Sequence, residues 1–215
     1  MTVAAIQLEV RVLELLVSRL CHDLISPVGA INNGVELMEE MGEDMAGEAI
    51  GLIAQSGRQA AGRLQCFRVA YGAAGGQAGM GWKEARAMAE GWLTGGKVRL
   101  GWAIGQGDWP ADPPAGAVKL LLNAVMLADE ALSYGGDITV EAEPGVFLVK
   151  AKGRAADLGE DRLAALHGRA AIADLSPKTV HAHAAGMFSR HYQLPLDLRP
   201  VDPGELHLRV GYQRP

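Results

Sequence analysis

The stretch Leu20-Cys21-His22-Asp23-Leu24-Ile25-Ser26-Pro27-Val28-Gly29-Ala30-Ile31 decides how the first third of this chain is read. Leu20, Leu24, Val28 and Ile31 recur at steps of four, four and three, the period of one helix face. The same rhythm extends outward to Leu13 and Leu16 on one side and to Val35 and Met38 on the other. A single helix from Leu8 to Met41 would be about 50 Å long. Met41-Gly42-Glu43-Asp44 then supplies a helix stop and an N-cap. A second periodic run follows, through Ile50, Ile53, Gly57, Ala60, Leu64, Phe67 and Tyr71, in the alternating rhythm of bundle seams. The pair predicts an antiparallel helical hairpin. One hairpin is too thin to bury both stripes, whereas two hairpins make a four-helix bundle. This predicts a homodimer, the alternative being a hairpin packed onto the rest of its own chain.

Glycines at 72, 75, 76, 79 and 81 mark a boundary, so residues 1–73 read as a dimerising helical domain and 74–81 as a linker. Residues 82–215 read as a mixed domain. Trp82 to Leu93 is helical, Lys97 to Ile104 alternates like a strand, and Pro113 opens a helix through Leu132. Ile138 to Glu143 and Val146 to Lys152 flank Glu143-Pro144-Gly145, the signal of a hairpin. Helices at Asp161 to Leu166 and Lys178 to Tyr192 follow. Leu196 to Val201 and Leu206 to Tyr212, split by Asp202-Pro203-Gly204, close the chain as a second hairpin. The fold class is α+β, a helical hairpin followed by a sandwich with helices on one side of a sheet.

Composition removes several functions. The chain of 215 residues carries a net charge of −5, which opposes binding to nucleic acid. Two cysteines, Cys21 and Cys66, cannot build a disulfide framework and suit a reducing compartment. No uncharged apolar run reaches membrane-spanning length, and Glu9, Arg11 and Glu14 interrupt the N-terminal apolar stretch. A cytoplasmic protein is expected, with no nucleic-acid or membrane partner.

Between the apolar positions, one face of the first helix reads His22, Ser26, Gly29 and Asn33, with Asp23 beside the histidine. Pro27 removes an N–H from the helix interior and leaves the carbonyl of Asp23 without its helical donor. A mid-helix proline costs an isolated helix ~3 kcal/mol, so a compensating reason for it is expected. His-Asp-x-x-Ser-Pro resembles the H-box of sensor histidine kinases. The longer run His22 to Gly34, with Ser176-Pro177-Lys178-Thr179-Val180-His181-Ala182-His183, is similar to the ChpT-type histidine phosphotransferases of alphaproteobacteria. That resemblance covers essentially the whole chain. It implies His22 as phosphate carrier, Asp23 as its orienter, Ser26 as a group near the phosphoryl oxygens, and Pro27, Gly29 and Asn33 as docking surface. The residue types suit that chemistry. A phosphate acceptor needs a neutral imidazole with one nitrogen free. A carboxylate on Nδ1–H fixes that tautomer and stabilises the cation formed on attack.

The second half resembles, in element order, the ATP-binding domain of sensor kinases. Leu121-Leu122-Asn123-Ala124 is similar to the box whose asparagine holds Mg²⁺, with Lys119 one turn earlier. Ala151-Lys152-Gly153-Arg154-Ala155 stands where such a kinase has Asp-x-Gly-x-Gly, and a second glycine-rich phosphate loop is absent. A degenerate, ATP-incompetent domain is expected. No cofactor or metal is expected in this chain, and Mg²⁺ is expected in a partner's acidic pocket. The implied partners are the receiver domain of a hybrid histidine kinase and downstream response regulators. An ATP-using kinase core and a non-catalytic receiver-binding adaptor are the alternatives. His181, His183, His191 and His207 are not read as metal ligands, because His181 and His183 project from different sides of a helix. The tryptophans 82, 92, 102 and 109 are read as packing.

Overall fold

A computed structural model describes residues 9–41, 46–76, 80–104 and 113–212. Two long helices, α1 (Val10–Met41) and α2 (Ala46–Ala70), form the expected hairpin. The stop and cap expected at Gly42, Glu43 and Asp44 lie outside the described residues, as do Leu8 and Trp109. Gly34 lets the two helices close on each other, since a Cβ there would stand 2.6 Å from Ile53 Cγ1.

The remainder contains α3 (Trp82–Leu93), β1 (Val98–Trp102), α4 (Ala117–Ala131), β2 (Gly136–Glu143), β3 (Val146–Lys152), α5 (Glu160–Leu166), α6 (Val180–Tyr192), β4 (Leu196–Asp202) and β5 (Glu205–Gly211). The strands make one sheet in the order β1-β2-β3-β5-β4, with β1 parallel to β2 and the other pairs antiparallel. Period-two alternation fixes which face is buried. Ile138, Val140, Phe147, Val149, Ala151, Leu206, Leu208 and Val210 point into the core. The opposite face carries ion pairs such as Arg99–Asp137 and Lys150–Glu141. Helix α4 is apolar nearly all round, and accordingly lies buried between the sheet and helices α2, α3 and α6.

Helices α4 and α6 start later than the sequence reading placed them. Helix α4 begins at Ala117, not Pro113, because Gly116 sits at φ +80° and breaks the helical path after the two prolines. A Cβ on Gly116 would stand 2.3 Å from the Tyr192 ring, so the turn is also packed too tightly for a larger residue. Helix α6 begins at Val180, not Lys178, because Ser176 and Thr179 close a turn in which the Ser176 N–H donates to Thr179 Oγ1 at 2.9 Å.

The first glycines after α2 are not an open tether. Residues Ala73–Gly76 form a 3₁₀ turn, Gly75 is buried, and a Cβ on Gly76 would stand 2.1 Å from the Tyr192 hydroxyl. Helix α2 packs on α3 through glycine against glycine, where a Cβ on Gly62 would stand 2.3 Å from the Gly91 carbonyl oxygen. The Phe67 ring lies against Tyr71 and Trp92, and Ala60 and Phe67 are buried. Part of the α2 stripe is therefore covered by this same chain. The N-terminal part of α1 is tied down as well, since Arg11 donates from Nε to Ile172 O at 3.2 Å and from Nη2 to Leu175 O at 3.0 Å. Among the described residues, no helix is long and apolar enough to cross a membrane.

Candidate functional site

Helical spacing leaves His22 on the solvent side of α1, and its side chain is 88% exposed. Its Nδ1 lies 3.3 Å from Asp23 Oδ1. A carboxylate only accepts, so this contact requires a proton on Nδ1 and leaves the Nε2 lone pair of the neutral ring facing solvent. Ser26 and Asn33 are exposed along the same face, and a Cβ built on Gly29 would meet nothing within 4 Å. Pro27 is buried, so it offers no surface for docking; its place in the site is to shape α1.

The carbonyl that Pro27 releases is satisfied from α2. Arg63 Nη1 donates to Asp23 O, taking the place of the missing helical N–H. The Arg63 guanidinium also lies 5.6 Å from the centre of the Trp92 ring. The proline, the arginine and the tryptophan thus hold the backbone at Asp23 from one side.

The other side of Asp23 leads into the second half of the chain. Asp23 Oδ2 is 3.7 Å from Arg19 Nε, and Arg19 Nη2 donates to Glu130 Oε1 of α4 at 2.6 Å. Arg19 Nη1 donates to the Pro177 carbonyl at 3.3 Å. Glu130 also meets Arg162 of α5, Nε to Oε2, at 3.2 Å. A cavity of about 500 Å³ opens here, lined by His22, Asp23, Arg19, Glu130, Arg162 and Lys178 among others.

Beneath it lies His181 of α6, fully buried, with Nδ1 2.6 Å from Glu130 Oε1 and Nε2 3.2 Å from Asn123 Oδ1. The amide of Asn123 donates to Ala70 O at 3.0 Å and Lys119 O at 2.8 Å, which leaves its oxygen to face the imidazole. Nε2 of His181 therefore carries a proton. Burial pushes the Glu130 carboxyl up, but His181, Arg19 and Arg162 together outweigh it and hold it below the usual carboxylate range. Burial pushes the His181 imidazolium down, yet a bare Nδ1 lone pair cannot face a carboxylate at 2.6 Å. The pair holds one proton between its two members.

Lys119 and Asn123 occupy the positions that resemble a nucleotide box, and both are turned to another use. Lys119 Nζ donates to Val69 O, Ala70 O and Gly72 O at 3.0, 3.2 and 2.7 Å, and Asn123 shares the Ala70 carbonyl. These are carbonyls left over at the C-terminal end of α2. Ala151 is fully buried in β3. Such a set does not fit a bound nucleotide or its Mg²⁺. Among the described residues, no group of three or more His, Cys, Asp or Glu is placed to hold a metal ion. Cys66 is buried, which pushes its thiol up to about 12, while Cys21 is exposed.

His22, Ser26, Gly29 and Asn33 thus share one solvent-facing side of α1, as the sequence reading had them, with Asp23 beside the histidine and turned toward Arg19. That reading missed Arg19, Arg63, Glu130 and His181. His181 stands in the stretch 176–183 that the sequence reading singled out, and Arg63 answers the carbonyl freed by Pro27, but neither role was read there.

Known proteins share this arrangement of chain. The family described as "Histidine phosphotransferase C-terminal domain" matches residues 82–203. The protein phosphotransferase ChpT of Brucella abortus (strain 2308) is 41% identical over 146 residues, which cover 65% of this chain and 66% of that protein. The chain thus spans just under two thirds of that relative's length. A solved structure titled as a bacterial phosphotransferase covers 97% of this chain and 100% of its own, with 28% identity and a TM-score of 0.77. The family match extends over more than half of the chain, and the fold match carries the likeness through the helix that bears His22. On those two grounds this chain belongs to the histidine phosphotransferase family.

Proposed function

We propose that the chain is the histidine phosphotransferase of a multistep two-component relay, with His22 as the carrier. The observation that carries this reading is the His22 ring itself, exposed to solvent while its Nδ1 is committed to Asp23. Nε2 attacks the phosphorus of an aspartyl phosphate on a receiver domain. The bond from phosphorus to the aspartate oxygen breaks, the carboxylate leaves, and the new N–P bond puts positive charge on the ring. Asp23 stabilises that charge, and a second receiver's aspartate reverses the step. Mg²⁺ would be held by the receiver, whose partly dissociated phosphoryl group needs a cation. Ser26, Gly29 and Asn33 form the landing surface around the ring. The spending of Lys119 and Asn123 on α2 carbonyls supports phosphate arriving from a protein rather than from ATP.

A homodimer is part of this reading. Leu13, Val17, Val28, Val35 and Met38 are 38–50% exposed in the single chain, along an α1 face away from His22. A second copy of the hairpin would cover that row.

The test incubates the protein with a phosphorylated receiver domain and, separately, with Mg-ATP. Acid-labile label should appear on the wild type only from the receiver and should vanish in His22→Ala. Asp23→Asn should slow single-turnover transfer by ~10²- to 10⁴-fold while leaving receiver affinity nearly unchanged. Label on His22→Ala would remove the carrier assignment.

A further inference from the structure

We propose that Glu130 is a positioning residue for phosphotransfer: it holds the Arg19 guanidinium, which braces the Asp23 carboxylate against the His22 ring. The proposal rests on His22 being the carrier. Asp23 touches the reacting imidazole through Oδ1, while Oδ2 faces Arg19 Nε at 3.7 Å. Arg19 is fixed at its far end, with Nη2 on Glu130 Oε1 at 2.6 Å and Nη1 on the Pro177 carbonyl at 3.3 Å. Its Nε–H, the edge turned to Asp23, is buried and makes no hydrogen bond of its own. A buried donor without a partner is costly, which makes the neighbouring carboxylate oxygen the group it serves.

Glu130 is in turn locked. His181 Nδ1 lies 2.6 Å from the same Oε1 that takes Arg19, Arg162 Nε lies 3.2 Å from Oε2, and the Glu130 side chain is only 12% exposed. Asn123 holds the far nitrogen of His181 at 3.2 Å. Charged and titratable groups surround the pair: Arg19 and Asp23 from α1, Tyr71 just after α2, Asp129 beside Glu130 on α4, Arg162 from α5, Lys178 before α6, and His181 itself. An exposed histidine would otherwise rely on one surface carboxylate that is free to swing into water. The chain Asn123–His181–Glu130–Arg19–Asp23 transmits the rigidity of the core to that carboxylate. Orienting groups one step removed from a reacting centre are worth roughly 10- to 100-fold when lost.

The experiment uses the full chain as wild type, Glu130→Gln and Arg19→Gln, with circular dichroism and thermal melting to establish folding. The first readout is the ¹⁵N shifts of the His22 ring, assigned among the six histidines with His22→Gln. The second is single-turnover transfer from a receiver domain phosphorylated with phosphoramidate, with receiver affinity measured separately. In the wild type the neutral ring should be mainly the Nδ1–H tautomer. In both variants the ratio should move toward Nε2–H and transfer should fall roughly 10- to 100-fold, with receiver affinity held within about twofold. A role confined to joining α1 to the core would leave the tautomer ratio untouched. Folded variants with the wild-type ratio and rate overturn the proposal, and if Glu130→Gln does not fold, Arg19→Gln decides alone. Absence of label on wild-type His22 would instead overturn the carrier reading, and the tautomer measurement would still judge the link from Glu130 to Asp23.

Discussion

Pro27 and Arg63 show how a local defect becomes part of a site. The N–H that proline lacks is the one that would bond Asp23 O, and Arg63 supplies the replacement from α2. The guanidinium therefore has a defined job only while residue 27 is proline. Pro27→Ala returns the backbone donor, after which Asp23 O has a helical partner again. Arg63→Met should then destabilise the wild type by about 1–3 kcal/mol, because a carbonyl in a partly buried place loses its donor. In the Pro27→Ala background the same change should cost about 1 kcal/mol less. Denaturant melts of the four proteins measure the coupling, and additive effects would show that Arg63 acts elsewhere. The sequence made the freed carbonyl legible, since the fourfold offset from Pro27 names Asp23. It could not name Arg63, because which α2 residue faces Asp23 depends on how the hairpin packs. Glu130 and His181 were less legible still. They stand 51 residues apart, and neither carries a local pattern that points to the other.

At the scale of elements, period was enough for α1 and α2, and turn residues between apolar runs were enough for the two β-hairpins. Such signals failed where a single backbone angle or a turn decided a boundary, as at Gly116 before α4 and Ser176–Thr179 before α6. The reading of Lys119 and Asn123 on α4 as the remnant of a degenerate box came from resemblance and not from period, and it left their present use unnamed. A lysine and an asparagine one turn apart resemble a nucleotide box, whereas in the fold they cap the helix that packs beside them. Lys119 is buried and meets three carbonyls, and its ammonium lies 4.4 Å from the centre of the Phe188 ring. Burial lowers its pKa to about 8. Lys119→Met keeps the stem but removes the donors, leaving Val69 O and Gly72 O without this partner. The expected loss is about 1–3 kcal/mol of stability. The variant should still accept phosphate at His22, since the lysine belongs to the junction between α2 and α4 and not to the phosphate's path. Denaturant melts beside the receiver assay check both halves of this expectation. A folded Lys119→Met of wild-type stability would contradict the capping role.

For the whole molecule, the arrangement of α1 explains why one helix can serve three surfaces. Successive residues turn by about 100°, so positions four and seven apart stay together while others separate. One face carries Val12, Arg19, Asp23, Pro27 and Gly34 toward α2 and the second half of the chain. A second presents His22, Ser26, Gly29 and Asn33 to solvent. The third bears Val17, Val28 and Val35, each 43–49% exposed, together with Leu13 at 50%. The sequence could count the apolar positions but could not divide them. Phe67 and Ala60, read as seam, are buried by α3 and its neighbours within one chain, so the single chain covers α2 more fully than α1. What remains uncovered on α1 is long, continuous and turned away from the phosphate-bearing face, which suits a second copy related by a two-fold axis. These side chains are already about half covered, so burying the rest is worth roughly half of the ~1.5–3 kcal/mol of full burial each, and the whole row on both chains is needed to outweigh the cost of association. Val28→Asp with Val35→Asp puts four carboxylates into that seam in the dimer while touching nothing in the core. Sedimentation equilibrium should show a dimeric wild type and a monomeric variant with unchanged helix content. A wild type that sediments as a monomer would leave the α1 row without this partner.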